Sequence, residues 1–212
     1  MNAQLLIFDL DGTLIDSRQD LATAVNLMRQ HFGLPPLSLE AVTSYVGNGV
    51  RMLVTRALAG TSVDIDDAVR IQGPLYRAHL VDATTLYPGV LDGLRRLHAA
   101  GHVLAVATNK PVEATETILA HFGIRPLFAH VLGGGSLPNL KPHPDMILAI
   151  MRGAGIAADR TWVIGDNYTD LESARQAGVR SVFLSYGFGS QGVEEPTLTA
   201  GSFGELMEAL GE

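Results

Sequence analysis

The chain contains no cysteine, which excludes a disulfide, a thiol nucleophile and a cysteine-bound zinc site, and fits a reducing compartment. No apolar run is long enough to cross a bilayer. The chain reaches Asp9 after a short apolar run, with neither a basic start nor a cleavage site, so a soluble cytoplasmic protein is expected. Positive charge is scarce: 15 Lys and Arg stand against 22 Asp and Glu, a net charge of −7. The cations form no cluster, which argues against non-specific nucleic-acid binding. Internal repeats and low-complexity segments are absent. Only 17% of the residues are charged and 47% are apolar, which excludes disorder. A length of 212 residues suits one core, or a core with a small second domain.

What is present is organised around residues 5–17, LLIFDLDGTLIDS. Residues 4–10 read as a strand buried on both faces of a parallel sheet. It ends in Asp9 and Asp11, two residues apart and so directed the same way in an extended chain. Gly12 and Thr13 then break the strand. Two like charges at the mouth of a buried strand call for a cation between them, and carboxylate oxygens suit magnesium. The alternative is a pair of solvated aspartates in a loop.

Asp16 and Ser17 read as caps for a helix over 18–31, stopped by Gly33-Leu34-Pro35-Pro36. Further helices fall at 39–45, 49–59 and 66–79, so residues 16–84 hold helices and no convincing strand. From 85 onward the chain alternates. Helices are expected at 90–100, 112–122, 144–153 and 170–177, and strands at 102–107, 129–132, 161–164 and 181–184. A last helix has the capping spacing Ser202–Glu205 and ends near Leu210. The pattern predicts an α/β fold, a doubly wound parallel sheet of Rossmann-like type. Residues 1–15 and 85–212 would form the core, and 16–84 an inserted small α-helical cap domain.

Polar residues gather where strands end or loops begin: Asp9 and Asp11, Thr108 and Asn109, Lys141, then Asp166 and Asp170. In a parallel sheet these ends share one edge, where open α/β sheets bind ligands. Each residue also has a plainer reading. Thr108 suits a strand end, Lys141 a solvated loop, and Asp170 the cap of the next helix. Pro142 and Pro144 stiffen the loop around Lys141. Lys110 faces either substrate or solvent. The seven histidines, His143 among them, show no metal-ligand spacing and read as structural.

FDLDGTLIDS, TNKP, LKPHPD and GDNYTD together resemble the four motifs of the haloacid dehalogenase superfamily in its phosphatase form. The resemblance implies Asp9 as the nucleophile of an aspartyl-phosphate mechanism and Asp11 as general acid/base. It further implies Thr108 and Asn109 holding the phosphoryl group, and Lys141 pairing with Asp9 and phosphate. Magnesium would be bound by Asp9, Asp11 and Asp166, with Asp170 supporting the metal shell or holding Lys141. Asn167 stands where many relatives carry Ser.

YVGNGVR at 45–51, with LYPGV, SLPNLKPHPD and SYGFG, is similar to the phosphoglycolate phosphatases of that superfamily. Asn48 and Arg51 are then the cap residues expected to meet substrate, Arg51 through a carboxylate. The composition alone reads Gly47-Asn48-Gly49 as a turn and Arg51 as a surface residue. The partner implied is a small phosphorylated metabolite, 2-phosphoglycolate first. Alternatives are another small phosphate (sugar phosphate, nucleotide or pyrophosphate), a β-phosphoglucomutase-like transfer, or, least favoured, a non-catalytic phosphate-binding module.

Overall fold

The computed structural model describes residues 3–211. The opening apolar run forms strand β1 (Leu5–Phe8), buried at every position. Side chains alternate across a sheet, so Leu6 and Phe8 enter one apolar cluster, and Leu5 and Ile7 enter another. Both faces of β1 are therefore covered, which is why its sequence shows no polar alternation. Parallel strands β4 (Val103–Pro111) and β6 (Thr161–Gly165) flank it. With β5 (Phe128–Gly134), β7 (Arg180–Leu184) and β8 (Leu198–Ala200), they make a six-stranded sheet in the order β5-β4-β1-β6-β7-β8. The chain runs outward from β1 through β4 to β5, then returns to β6 on the other side. A crevice opens at such a reversal, beyond the carboxyl end of β1.

Helices α5 (Val90–Ala99), α6 (Val112–His121) and α9 (Phe203–Leu210) cover the Leu6–Phe8 face with Leu94, Leu97, Ile118, Phe203 and Leu206. Helices α7 (Asp145–Ala154) and α8 (Tyr168–Ala177) cover the other face with Met146, Ile147, Ile150 and Ala174. This is the doubly wound α/β sheet expected from the alternation of strands and helices.

Three differences from the sequence reading matter. β4 runs on through Thr108, Asn109 and Lys110 to Pro111, so these residues lie on the strand and not in a loop behind it. Its pairing with β5 is irregular between Ala107 and Pro111. Gly133 permits the close approach there: a Cβ on it would sit 2.7 Å from the Lys110 carbonyl oxygen. β8 was not expected, because Leu198-Thr199-Ala200 carries no apolar run. Strands β2 (Ile15–Asp16) and β3 (Thr85–Leu86) are also new, pairing antiparallel with Ile15 opposite Leu86.

That two-stranded ribbon is where the chain leaves the sheet and returns. Between its strands lie α1 (Arg18–His31), α2 (Leu39–Thr43), α3 (Val50–Ala57) and α4 (Ile65–Ala78), packed on one another. Asp20 on α1 ties the return path. Its carboxylate accepts from Ala83 N–H at 3.0 Å, Thr84 N–H at 2.8 Å and the Thr84 hydroxyl at 2.7 Å. Asp20→Ala would leave these donors, buried at Thr84, unpaired. We expect it to lower unfolding stability by about 2–3 kcal/mol in urea denaturation, with catalysis per folded molecule little changed.

Candidate active site

Register carries the strand ends to one place. Phe8 pairs with Val106 and with Ile164, so the residues beyond each meet at the same edge. Asp9 follows β1, Asp166 follows β6, and Thr108 lies on β4 two residues past Val106. All three line one cavity of about 170 Å³ between the sheet edge and the inserted helices.

Lys141 reaches this point from the loop before α7. Its Nζ donates to Asp170 Oδ1 at 2.5 Å and to the Ala107 carbonyl at 2.6 Å, and lies 3.0 Å from Asp9 Oδ1. Burial works to lower the Lys141 pKa, but the charges of Asp170 and Asp9 outweigh it and raise it, so the residue stays an ammonium. Asp170 serves both readings it was given. One oxygen holds Lys141, while the other accepts from Asn167 N–H at 3.1 Å in a capping box at the start of α8.

Asp166 is held by the segment after β7. Phe188 N–H and Gly189 N–H donate to its Oδ2 at 3.0 and 2.7 Å, and the Thr13 hydroxyl reaches Oδ1 at 3.4 Å. Gly12, at φ +80°, makes room for it, since a Cβ there would lie 2.0 Å from Asp166 Oδ2. Burial pushes the Asp166 carboxyl well above the usual carboxylate range, and the charges of Asp9 and Asp170 add to this. Asp9, Asp166 and Asp170 each offer an oxygen within 4.8 Å of the others. Asp9 Oδ1 is buried and takes no hydrogen bond. With only the Lys141 ammonium beside it, this oxygen lies among crowded carboxylates, a donor set that fits a divalent cation bound by oxygen ligands.

The Asp11 carboxylate is not one of the three that crowd together. It is turned to Lys110, whose Nζ donates to Oδ1 at 2.8 Å and Oδ2 at 3.0 Å, and to Ser17, whose hydroxyl donates to Oδ1 at 2.6 Å. Ser17 stands at the N-cap of α1 yet makes no capping bond there, because its hydroxyl is spent on Asp11. Lys110 faces neither free solvent nor empty space. It is buried and also donates to the Tyr76 hydroxyl on α4.

The remaining expected residues divide. Thr108 lines the cavity and accepts from Lys110 N–H at 3.3 Å. Asn109 also lines it, but its side chain is taken up by backbone. The amide donates to Gly47 and Lys141 carbonyls at 2.8 Å each, and its oxygen accepts from Lys141 N–H at 2.8 Å. It fixes the Lys141 loop, so its side-chain amide has no donor left for a phosphoryl oxygen. Asn48 bridges α3 to α8, donating to the Tyr168 hydroxyl and accepting from Arg56, both at 2.8 Å. Arg51 is exposed, outside the cavity lining and paired with Asp66. His143 pairs with Asp145 at the surface at 3.2 Å.

The helical side of the cavity is mostly apolar, with Leu21, Val46, Leu53 and Val69. Three polar residues break it, Gln72, Tyr76 and Arg77. Gln72 is buried with an unpartnered Oε1, and Arg77, at the exposed end, has no partner among the described residues. Sequence reasoning missed Ser17, Gln72, Tyr76, Arg77 and the Phe188–Gly189 amides. SYGFG was the available signal for the last of these. Helical spacing groups Ala68, Gln72 and Tyr76 on one buried face of α4 but does not say what that face meets.

A doubly wound parallel sheet with carboxylate, hydroxyl and ammonium side chains converging on one strand-end crevice suits a hydrolase of phosphorylated compounds. The family described as haloacid dehalogenase-like hydrolase matches residues 6–184, and the chain belongs to it. It is similar to a phosphoglycolate phosphatase of Psychrobacter arcticus, 39% identical over 99% of this chain and 96% of that one. A phosphoglycolate phosphatase of Pseudomonas putida is 43% identical over 87% of this chain and 70% of its own length. Among solved structures, one described as a predicted phosphoglycolate phosphatase from Haemophilus somnus 129PT superposes with TM-score 0.92 at 33% identity, covering 98% of each chain. The protein is thus an enzyme of phosphatase type. None of its helices among the described residues is long and apolar enough to cross a membrane.

Proposed function

We propose that the protein is a magnesium-dependent phosphomonoester hydrolase that works through a phosphorylated Asp9 and takes 2-phosphoglycolate as its substrate. The observation that carries the reading is the Asp9 carboxylate, held between Lys141 and Asp166 on the cavity floor. Residues 1–15 and 85–212 act as the catalytic core, and residues 16–84 as a cap over it. The enzyme works in the cytoplasm on a small phosphorylated metabolite.

Asp9 attacks phosphorus in line, forming a P–O bond as the P–O bond to the leaving oxygen breaks. Asp11, protonated at this step, gives its proton to that leaving alkoxide. It then takes a proton from water as the water's oxygen attacks the phosphorus of the acyl-phosphate, freeing Asp9 and inorganic phosphate. Lys141 and the Thr108 hydroxyl hold phosphoryl oxygens throughout. Asp9 and Asp166 would hold the metal, with Asp170 behind them, and the metal supplies positive charge to the transferring group.

The cavity's small size and its polar residues opposite the catalytic floor support a short substrate with a second anionic group. That Arg77 and Gln72 on α4 line the cavity, and Arg51 does not, supports Arg77 as the arginine that meets a substrate carboxylate. We expect Arg77→Ala to raise KM for 2-phosphoglycolate about 10-fold, the cost of one charge-assisted contact at a partly exposed site. Arg51→Ala should change it less than about 2-fold, as for an exposed ion pair. Phosphate release with magnesium across a panel of sugar phosphates, nucleotides, pyrophosphate and 2-phosphoglycolate tests the substrate. A higher kcat/KM for any other member would overturn that choice.

A further inference from the structure

Lys110 and Lys141 are the only lysines in the sequence. Every other cation is an arginine, yet these two buried positions beside the reacting carboxylates hold compact ammonium groups. The mechanism gives Lys141 its task and leaves Lys110 without one. The bonds around Lys110 are complete and directional. It grips both oxygens of Asp11 from below and donates to the Tyr76 hydroxyl above, its Nζ 4.6 Å from the centre of the Tyr76 ring. Asp11 and Lys110 belong to the sheet edge, whereas Tyr76 belongs to α4 in the inserted helices. Tyr76 is buried, so the contact exists only while α4 lies over the cavity.

We propose that Lys110 is the positioning residue of the general acid Asp11, and that Tyr76 completes it from the cap. Proton transfer to the leaving group is then set up only when the cap covers the substrate. The inference rests on the acid role given to Asp11 above. An ammonium bonded to both carboxylate oxygens fixes the rotation of the carboxyl plane, and the Ser17 hydroxyl fixes its position along that plane. Without the Tyr76 hydroxyl, Nζ loses its bond on the cap side and Asp11 loses its stop. Misplacement of an acid by about 1 Å costs on the order of 100-fold in rate.

The test compares leaving groups in the first chemical step, by rapid-quench kinetics on magnesium-loaded full-length enzyme. An alkoxide from 2-phosphoglycolate or ethyl phosphate needs a proton as it departs, while p-nitrophenolate does not. Lys110→Met should slow alkoxide release about 100-fold, and Tyr76→Phe about 10-fold. Both should still give a burst of p-nitrophenol near one equivalent, followed by slow turnover, because dephosphorylation also needs Asp11. Tyr76→Phe removes one hydroxyl and keeps the ring, so it stands as the test should Lys110→Met fail to fold. Equal losses with both leaving groups, or no loss with either, would overturn the inference. Alkyl phosphates turned over by the wild type, with 2-phosphoglycolate refused, would sink the substrate assignment and leave this test intact. A wild type that cleaves no phosphomonoester would take both down.

Discussion

Asp9→Asn should reduce phosphate release by about 10,000-fold or more while leaving the protein folded. The amide is nearly the same size as the carboxylate, so the cavity floor keeps its shape, but it cannot form the phosphorylated intermediate. The fold should tolerate the change for an electrostatic reason. Asp9 adds to the repulsion that, with burial, drives Asp166 upward, and neutralising it relieves a crowded group of carboxylates. Thermal melts with and without magnesium check this second half. The wild type should gain stability from the ion by mass action, and Asp9→Asn should gain much less, having lost a ligand. Undiminished hydrolysis by a purified Asp9→Asn protein would show that the nucleophile lies elsewhere.

Much of this site is legible in the sequence because strands obey simple rules. An apolar run closed by Asp-x-Asp places two carboxylates at a strand end. Parallel register then brings Thr108 and Asp166 to the same edge without knowledge of any side-chain contact, whereas Lys141 arrives from the loop before α7. Contacts between elements far apart in the chain are harder to read. Arg51 and Arg77 sit on different helices, and either could have turned inward. α3 buries Leu53, Val54 and Ala57, which turns Arg51 outward to Asp66, while Arg77 falls at the cavity's rim. Asn109 illustrates a second limit. Its position beside the phosphoryl site follows from β4, but its three side-chain bonds go to backbone on segments 32 and 62 residues away. Ser17 illustrates a third: a hydroxyl at a helix N-cap ordinarily caps, and only the folded loop shows that Asp11 claims it.

Replacing Lys141 with Met should cost both activity and stability, and a second substitution should separate the two. Lys141 is buried and paired with Asp170, which is itself buried and bonded to nothing else positive. Breaking such a pair from one side strands the other charge in the interior, at about 3–5 kcal/mol. Asp170→Asn in the Lys141→Met background removes the stranded charge while the amide oxygen still accepts from Asn167 N–H. Unfolding in urea should then show recovery of roughly half the loss, a coupling energy of about 2 kcal/mol between the two sites. Phosphate release should not recover, because no cation remains beside Asp9 to neutralise the transferring group. Rescue of both properties together would mean that Lys141 serves the site only through the fold. Rescue of neither would mean that the Ala107 carbonyl, left without its donor at 2.6 Å, sets the cost and not the stranded carboxylate.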